Sequence, residues 1–205
     1  MVQVKKPEVR DRILEAAAGL FAEHGYARAT INQIAQRAGM APSNVYVYFK
    51  SKLEIMFAVY EPWFRKQIEQ LARDVAGMRS PAAKVLRIVH RLWCELPADS
   101  RSNNVIQAVS AAIPEDRYDP GLLRWTERKI ASMLDNALPA ERVAEVDSLR
   151  LAHILMMAFD GFAVNYHTAR GIACSRAVVK QMSAIILGIP CRIAGTRRER
   201  TLLAH

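Results

Sequence analysis

The chain has 205 residues, 51% of them hydrophobic, with 29 Lys and Arg against 20 Asp and Glu for a net charge of +9. This apolar content supports a buried core and argues against disorder of the whole chain, and the basic excess favours a polyanion, nucleic acid or a membrane surface. Three widely spaced cysteines, Cys94, Cys174 and Cys191, form no CxxC pair, so neither a disulfide framework nor a zinc site is expected, and a reducing cytoplasm is the simplest setting.

Apolar residues return at three- and four-residue spacing almost throughout, which predicts an all-α protein. The N-terminal segment lacks the apolar core of a signal peptide. The longest apolar region, residues 149–164, is interrupted by Arg150, His153 and Asp160, which reads as a buried helix and not a membrane span.

The first helix is expected over residues 8–24, with Ile13, Ala17, Leu20 and Phe21 on one face and Gly25 ending it in a left-handed cap. Thr30 and Gln33 fit a capping box that opens a second, short helix, which Gly39 stops. Pro42 suits the first turn of a third helix reaching Phe49, because its φ is already helical. Ser51 and Glu54 form another capping box at the start of a fourth helix, in which Pro62 predicts a kink or break. Further helices are expected after Ser80-Pro81, before Pro114, after Asp119-Pro120, over residues 147–170 up to Gly171, and over residues 175–187 before Gly188.

Two short helices joined by a glycine turn make a helix-turn-helix pattern. Ala35 supplies the small residue where the helices cross, Gly39 the positive φ, and Val45 the inward anchor of the third helix. Ser43, Asn44, Val47 and Tyr48 are then left on the outer face, with Tyr46 at its margin. From His24 to Leu53 the chain holds Arg28, Arg37, Lys50 and Lys52 and no acidic residue, and Lys5 and Lys6 add charge just upstream. An acid-free surface with capped helix starts suits phosphates, and a helix in the major groove reads base edges.

The stretch TINQIAQRAGMAPSNVYVYFKSK, residues 30–52, resembles the DNA-binding signature of the TetR family of bacterial transcriptional regulators. Thr30, Ile34-Ala35, Ala38-Gly39, Tyr46, Tyr48-Phe49 and Lys52 carry the match. The resemblance places Thr30, Tyr46, Tyr48 and Lys52 at the phosphate backbone. It places Asn32, Gln33, Pro42, Ser43, Asn44 and Val47 near bases or adjoining sugar-phosphate. Ala41 stands where the family often has a capping Ser, and Ser43 where it often has Gly.

The resemblance also implies a three-helix DNA-binding domain (residues 1–52), a larger effector-binding and dimerisation domain (53–190), and here a basic tail (191–205). Its function would be a cytoplasmic regulator of transcription, a repressor on a palindromic operator, with double-stranded DNA, a small-molecule effector and a second copy of the chain as partners. Trp63, Trp93 and Trp125 lie on three different helices of the second domain and are candidates to line the effector pocket. Asn104, Gln107, His153, Asp160 and Asn165 are candidate polar anchors, Phe159 adds an apolar wall, and Arg128 would favour an anion; each also has a structural reading. Met156, Val164, Val178, Met182, Ile185 and Ile186, on the last two helices, are candidates for a four-helix dimer interface. His90 and Cys94 have a metal-ligand spacing but no third partner in sequence. No nucleophile motif or phosphate loop anchors an enzyme reading, and no cofactor or metal is expected. A DNA-binding protein without an effector, built for architecture or recombination, is the alternative from another class, and an enzyme on an α bundle is a second.

Overall fold

A computed structural model describes residues 6–112, 120–168 and 174–190. Lys5, Pro114, Asp119, Arg170, Gly171, Cys191 and the basic tail lie outside the described residues. Those described form ten α-helices and no strand.

The N-terminal head is built from α1 (Pro7–Arg28), α2 (Ile31–Arg37) and α3 (Pro42–Tyr48). α1 runs past its predicted end. Gly25 adopts the positive φ of 75° that was expected, but with ψ of 164°. That combination is nearly confined to glycine and kinks the chain without capping it. One more turn follows to Arg28, and the Ala29 N–H closes on the Gly25 carbonyl at 3.3 Å. The kink turns Tyr26 into the core beside Phe21, ring centroids 5.7 Å apart.

α4 (Lys52–Ala76) is a helix of about 37 Å that passes from the head into the body. Pro62 does not break it, contrary to the sequence expectation. Proline is on the exposed side, where water can take the carbonyl its ring displaces, and buried Tyr60, Phe64, Ile68 and Leu71 hold the other side in register. α5 (Pro81–His90), capped by Ser80, ends in a π-helical turn, Arg91–Glu95, that the sequence did not signal. α6 (Ser100–Ser110), α7 (Gly121–Asp135), the unforeseen short α8 (Ala140–Glu145), α9 (Ser148–Thr168) and α10 (Arg176–Leu187) complete the body. α9 packs along α7, α10 along α5, and α6 is wedged among α1, α4 and α9. One apolar core runs unbroken from Ile13 and Ile34 in the head through Ile55 and Ile68 to Leu134 and Leu155 in the body. No helix among the described residues is long and apolar enough to cross a membrane.

Candidate nucleic-acid interface and apolar cavity

The head presents its third helix as the sequence predicts. Thr30 and Gln33 close a reciprocal capping box: the Thr30 side chain accepts from Gln33 N–H at 3.2 Å, and Gln33 Oε1 accepts from Thr30 N–H at 2.9 Å. Gly39 makes the turn at φ 68°. Ile34, Ala35 and Val45 are fully buried and lock α2 and α3 onto α1. Asn32, Pro42, Ser43, Asn44 and Tyr46 are exposed, and Val47 and Tyr48 partly so, forming one outward face. Ala41 makes no side-chain cap, Pro42 has no N–H to satisfy, and the Asn44 N–H closes on the Ala41 carbonyl at 3.0 Å. Tyr48 turns its hydroxyl to accept from the Lys6 backbone N–H at 3.1 Å, tying the start of α1 to the reading helix.

The basic residues of this stretch divide into two kinds. Arg28 and Lys50 are exposed and form no ion pair among the described residues. Arg37 is held by Glu23 in a two-pronged ion pair at 2.9 and 2.7 Å, and the hydrogen bond from Arg37 holds the Glu23 carboxyl below its ordinary range. Lys52, expected at a phosphate, instead directs its ammonium inward. It donates to the carbonyls of Tyr26 and Ala29, both at 2.9 Å, and lies 4.1 Å from the centre of the Tyr26 ring. Burial lowers its pKa. Lys52 therefore cements the kinked end of α1 to the start of α4. The second capping box is displaced by one residue: Ser51 accepts from Glu54 N–H, but Glu54 Oε2 reaches back to Lys50 N–H at 2.6 Å.

Asn104 and Gln107, expected in a pocket, act at the junction of head and body. Asn104 Oδ1 accepts from Tyr26 N–H at 2.9 Å and its Nδ2 donates to the Phe21 carbonyl at 3.1 Å. Gln107 Oε1 accepts from Ala27 N–H at 3.3 Å. Together they satisfy the backbone groups that the Gly25 kink strips of helical partners, so α6 is latched to the distorted turn of α1. The spacing of three residues on one helix face was visible in sequence; its target was not.

The three tryptophans do not meet. Trp93 is buried, donating Nε1–H to the Leu155 carbonyl at 3.0 Å and packing on Phe162. Trp63 lies under the Arg101 guanidinium at 4.1 Å, and Trp125 under that of Arg65 at 4.3 Å. Trp125 and Arg128 border an open cleft between the head and α7. His153 pairs with Glu127 at 2.7 Å, and Asn165 is exposed on α9. The π-helical turn wraps Glu95 with Arg87, Arg91 and His90. Burial opposes ionisation of Glu95, but the Arg91 and Arg87 guanidiniums outweigh it and hold the carboxyl below its ordinary range. His90 Nδ1 thus faces Glu95 Oε1 at 3.0 Å, and no cluster of three metal-ligating side chains occurs among the described residues.

A separate cavity of about 350 Å³ opens among α4, α6, α7 and α9. α4 contributes Phe57, Tyr60 and Phe64, an i, i+3, i+7 stripe that the sequence reading passed over. Val105 and Val109 of α6 face Leu122, Leu123 and Thr126 of α7. α9 closes the wall with Phe159, Asp160 and Val164, so Phe159 and Asp160 are the two predicted effector residues that reach this cavity. Asp160 is exposed, yet the apolar surroundings of its carboxyl push its pKa up to about 6.

The profile of the N-terminal domain of bacterial regulatory proteins of the tetR family matches residues 13–59, the segment that folds as the head and the first turns of α4. That segment is similar to the DNA-binding domain of the TetR family. Among curated relatives, it is 27% identical over 95 residues to the fatty acid metabolism regulator protein of Bacillus subtilis and 34% identical over 86 residues to the transcriptional regulator HbdR of an Aromatoleum strain. These matches cover 46% and 42% of this chain, and 48% and 36% of the two relatives. The fold extends further. The structure of the fatty acid degradation regulator FadR of Bacillus halodurans superposes with a TM-score of 0.59 at 20% identity, over 89% of this chain and 96% of that one. FadR of B. subtilis in complex with stearoyl-CoA gives 0.58 at 17%, over 88% and 99%, and the SmeT–triclosan complex 0.54 at 22%, over 87% and 90%.

The residues expected at a dimer interface split by depth. Val164, Val178 and Ile185 are exposed, and Met182 is half-buried. Met156 and Ile186 are buried within the protomer, Met156 beside the cavity, and so face inward. Ile154 and Met157 of α9 and Ile189 after α10, which the sequence reading left out, extend the exposed apolar face. Cys94 donates to the Cys174 carbonyl at 3.3 Å, and burial together with the neighbouring Cys94 pushes the Cys174 thiol up to about 12, so neither is primed as a nucleophile.

Proposed function

We propose that this chain is a transcriptional repressor that binds a palindromic operator as a homodimer and is released by a small apolar effector. The observation that supports this most is the outward face of α3, exposed at Pro42, Ser43, Asn44 and Tyr46 within a stretch that holds no acid. Such a helix enters a major groove, with the first turns of α2 and α4 and the exposed Arg28 and Lys50 near the phosphates. Residues 53–190 act as the regulatory body, beginning one residue into α4.

The exposed apolar face of α9 and α10 supports pairing with a second copy through four helices, which would set two reading heads on successive grooves. The cavity is the effector site. Its walls include α4, which enters the head, and α6, which holds the α1 kink through Asn104 and Gln107. An effector that fits one spacing of these helices better than another shifts the heads between DNA-competent and incompetent positions. The FadR complex with stearoyl-CoA and the SmeT complex with triclosan show what those relatives hold, and both ligands have large apolar parts. Such a regulator works in the cytoplasm, where its DNA is.

Selection of bound sequences from random DNA tests the reading. A palindrome bound by a dimer, and lost when Asn44 and Tyr46 are changed to Ala, is expected. Recovery of no preferred sequence would remove the operator-specific repressor and leave an architectural DNA binder.

A further inference from the structure

We propose that the cavity among α4, α6, α7 and α9 takes an amphiphilic organic cation, an amine or quaternary ammonium on an apolar body, with Asp160 as its counter-charge. This rests on the reading of that cavity as the effector site and names the chemistry of the effector.

Among the described residues that line the cavity, Asp160 is the one with a formal charge at neutral pH, and no Lys, Arg or His reaches it. The Asp160 carboxyl has no hydrogen bond or ion pair among the described residues, and the shift to about 6 comes from burial alone. It is therefore mostly ionised at neutral pH and has no counter-charge among the described residues, so it is open to a cation. The wall beside it is aromatic. Tyr60 stacks on Phe64 at 5.1 Å, and Phe64 meets Phe159, the residue before Asp160, at 5.9 Å. Aromatic rings and a carboxylate lining one cavity suit an alkylated ammonium by cation–π attraction and by burial of its apolar substituents. An anionic headgroup would meet Asp160 with no cation to balance it. The volume is at the small end of ligand pockets and fits one compact apolar body.

The test titrates the full-length dimer, below micelle formation, with four probes of one chain length: decyltrimethylammonium, decanol, decanesulfonate and decanoyl-CoA. Calorimetry reads affinity and a labelled operator reads DNA release. The cation should bind at least about tenfold tighter than the sulfonate and the CoA thioester, a difference of about 1.4 kcal/mol. Asp160→Asn should bring cation and sulfonate to near parity and leave decanol unchanged, and Asp160→Glu should restore the preference. An equal or tighter affinity for the sulfonate or thioester, or a preference untouched in D160N, overturns the proposal. Binding of decanol alone overturns the cation while leaving the cavity as an effector site. Tight binding of the cation without release of operator supports the ligand class and counts against the effector reading.

Discussion

The head and the body of this protein are marked by different polar contacts. In the head, the caps that open α2 and α4 act within a few residues of where they stand, Thr30 on Gln33 and Ser51 on Glu54, while Arg37, Tyr48 and Lys52 reach farther along the chain. In the body, Asn104 acts across the fold on Tyr26, Trp93 on Leu155 and His153 on Glu127. A local motif can be transplanted by sequence, so the head matches its family over residues 13–59, while the similarity of the body to relatives under 25% identical is one of fold.

Substitutions separate the two regimes. The largest effect should come from Ile34→Ala, which empties a fully buried site under the reading helix. A loss of about 2–5 kcal/mol is expected by chemical denaturation, and DNA binding should fall with it. Asn104→Ala comes next. It leaves the buried Tyr26 N–H and the Phe21 carbonyl without their partner and should cost about 1–3 kcal/mol. Because the latch joins α6 to α1, the variant should also respond less to effector in operator release. A variant as stable and as inducible as the parent would show that the junction is held elsewhere.

Lys50 and Lys52 test whether neighbours in sequence share a role. Lys52→Met should lose about 1–2 kcal/mol of stability, since its ammonium bridges two backbone carbonyls, with little change in the salt dependence of DNA affinity. Lys50→Ala should leave the melting temperature alone and lower the slope of log affinity against log salt by about 1. The reverse pattern would restore Lys52 to the phosphates.

A further stability effect is pH-dependent. Asp160 has a folded pKa of about 6, above its ordinary 3.8, so the native state binds the extra proton. Its penalty is absent below about pH 4, grows as pH rises toward 6, and is complete above that. Asp160→Asn should therefore stabilise the free protein at pH 7.5 by about 1 kcal/mol, a figure reduced because the residue is partly solvated, and by nothing at pH 4. Thermal melts of both proteins at the two pH values check the sign.

The helices, several caps and the helix-turn-helix were legible in the sequence because they depend on neighbours: Pro42 at a first turn, Ser80 as a cap, Gly39 at positive φ. Pro62 misled because propensity is local while α4 is held by a buried stripe along its whole length. Tryptophan proved a poor guide to the cavity. A large ring with one N–H is as well used for packing, as at Trp93, or for carrying a guanidinium, as at Trp63 and Trp125.

By itself the sequence determined an all-helical chain with a DNA-reading head, because short-range periodicity, caps and the absence of acid over residues 24–53 need no knowledge of distant contacts. Only the tertiary structure decided which polar groups look outward. It directed Lys52 to the α1 carbonyls and Asn104 and Gln107 to the α1 kink, and made Asp160 the one charged residue among the described residues that line the apolar cavity. The reason is physical: a buried polar group goes to whatever unpaired partner the packing brings within hydrogen-bond reach, and that partner is tens of residues away in the chain.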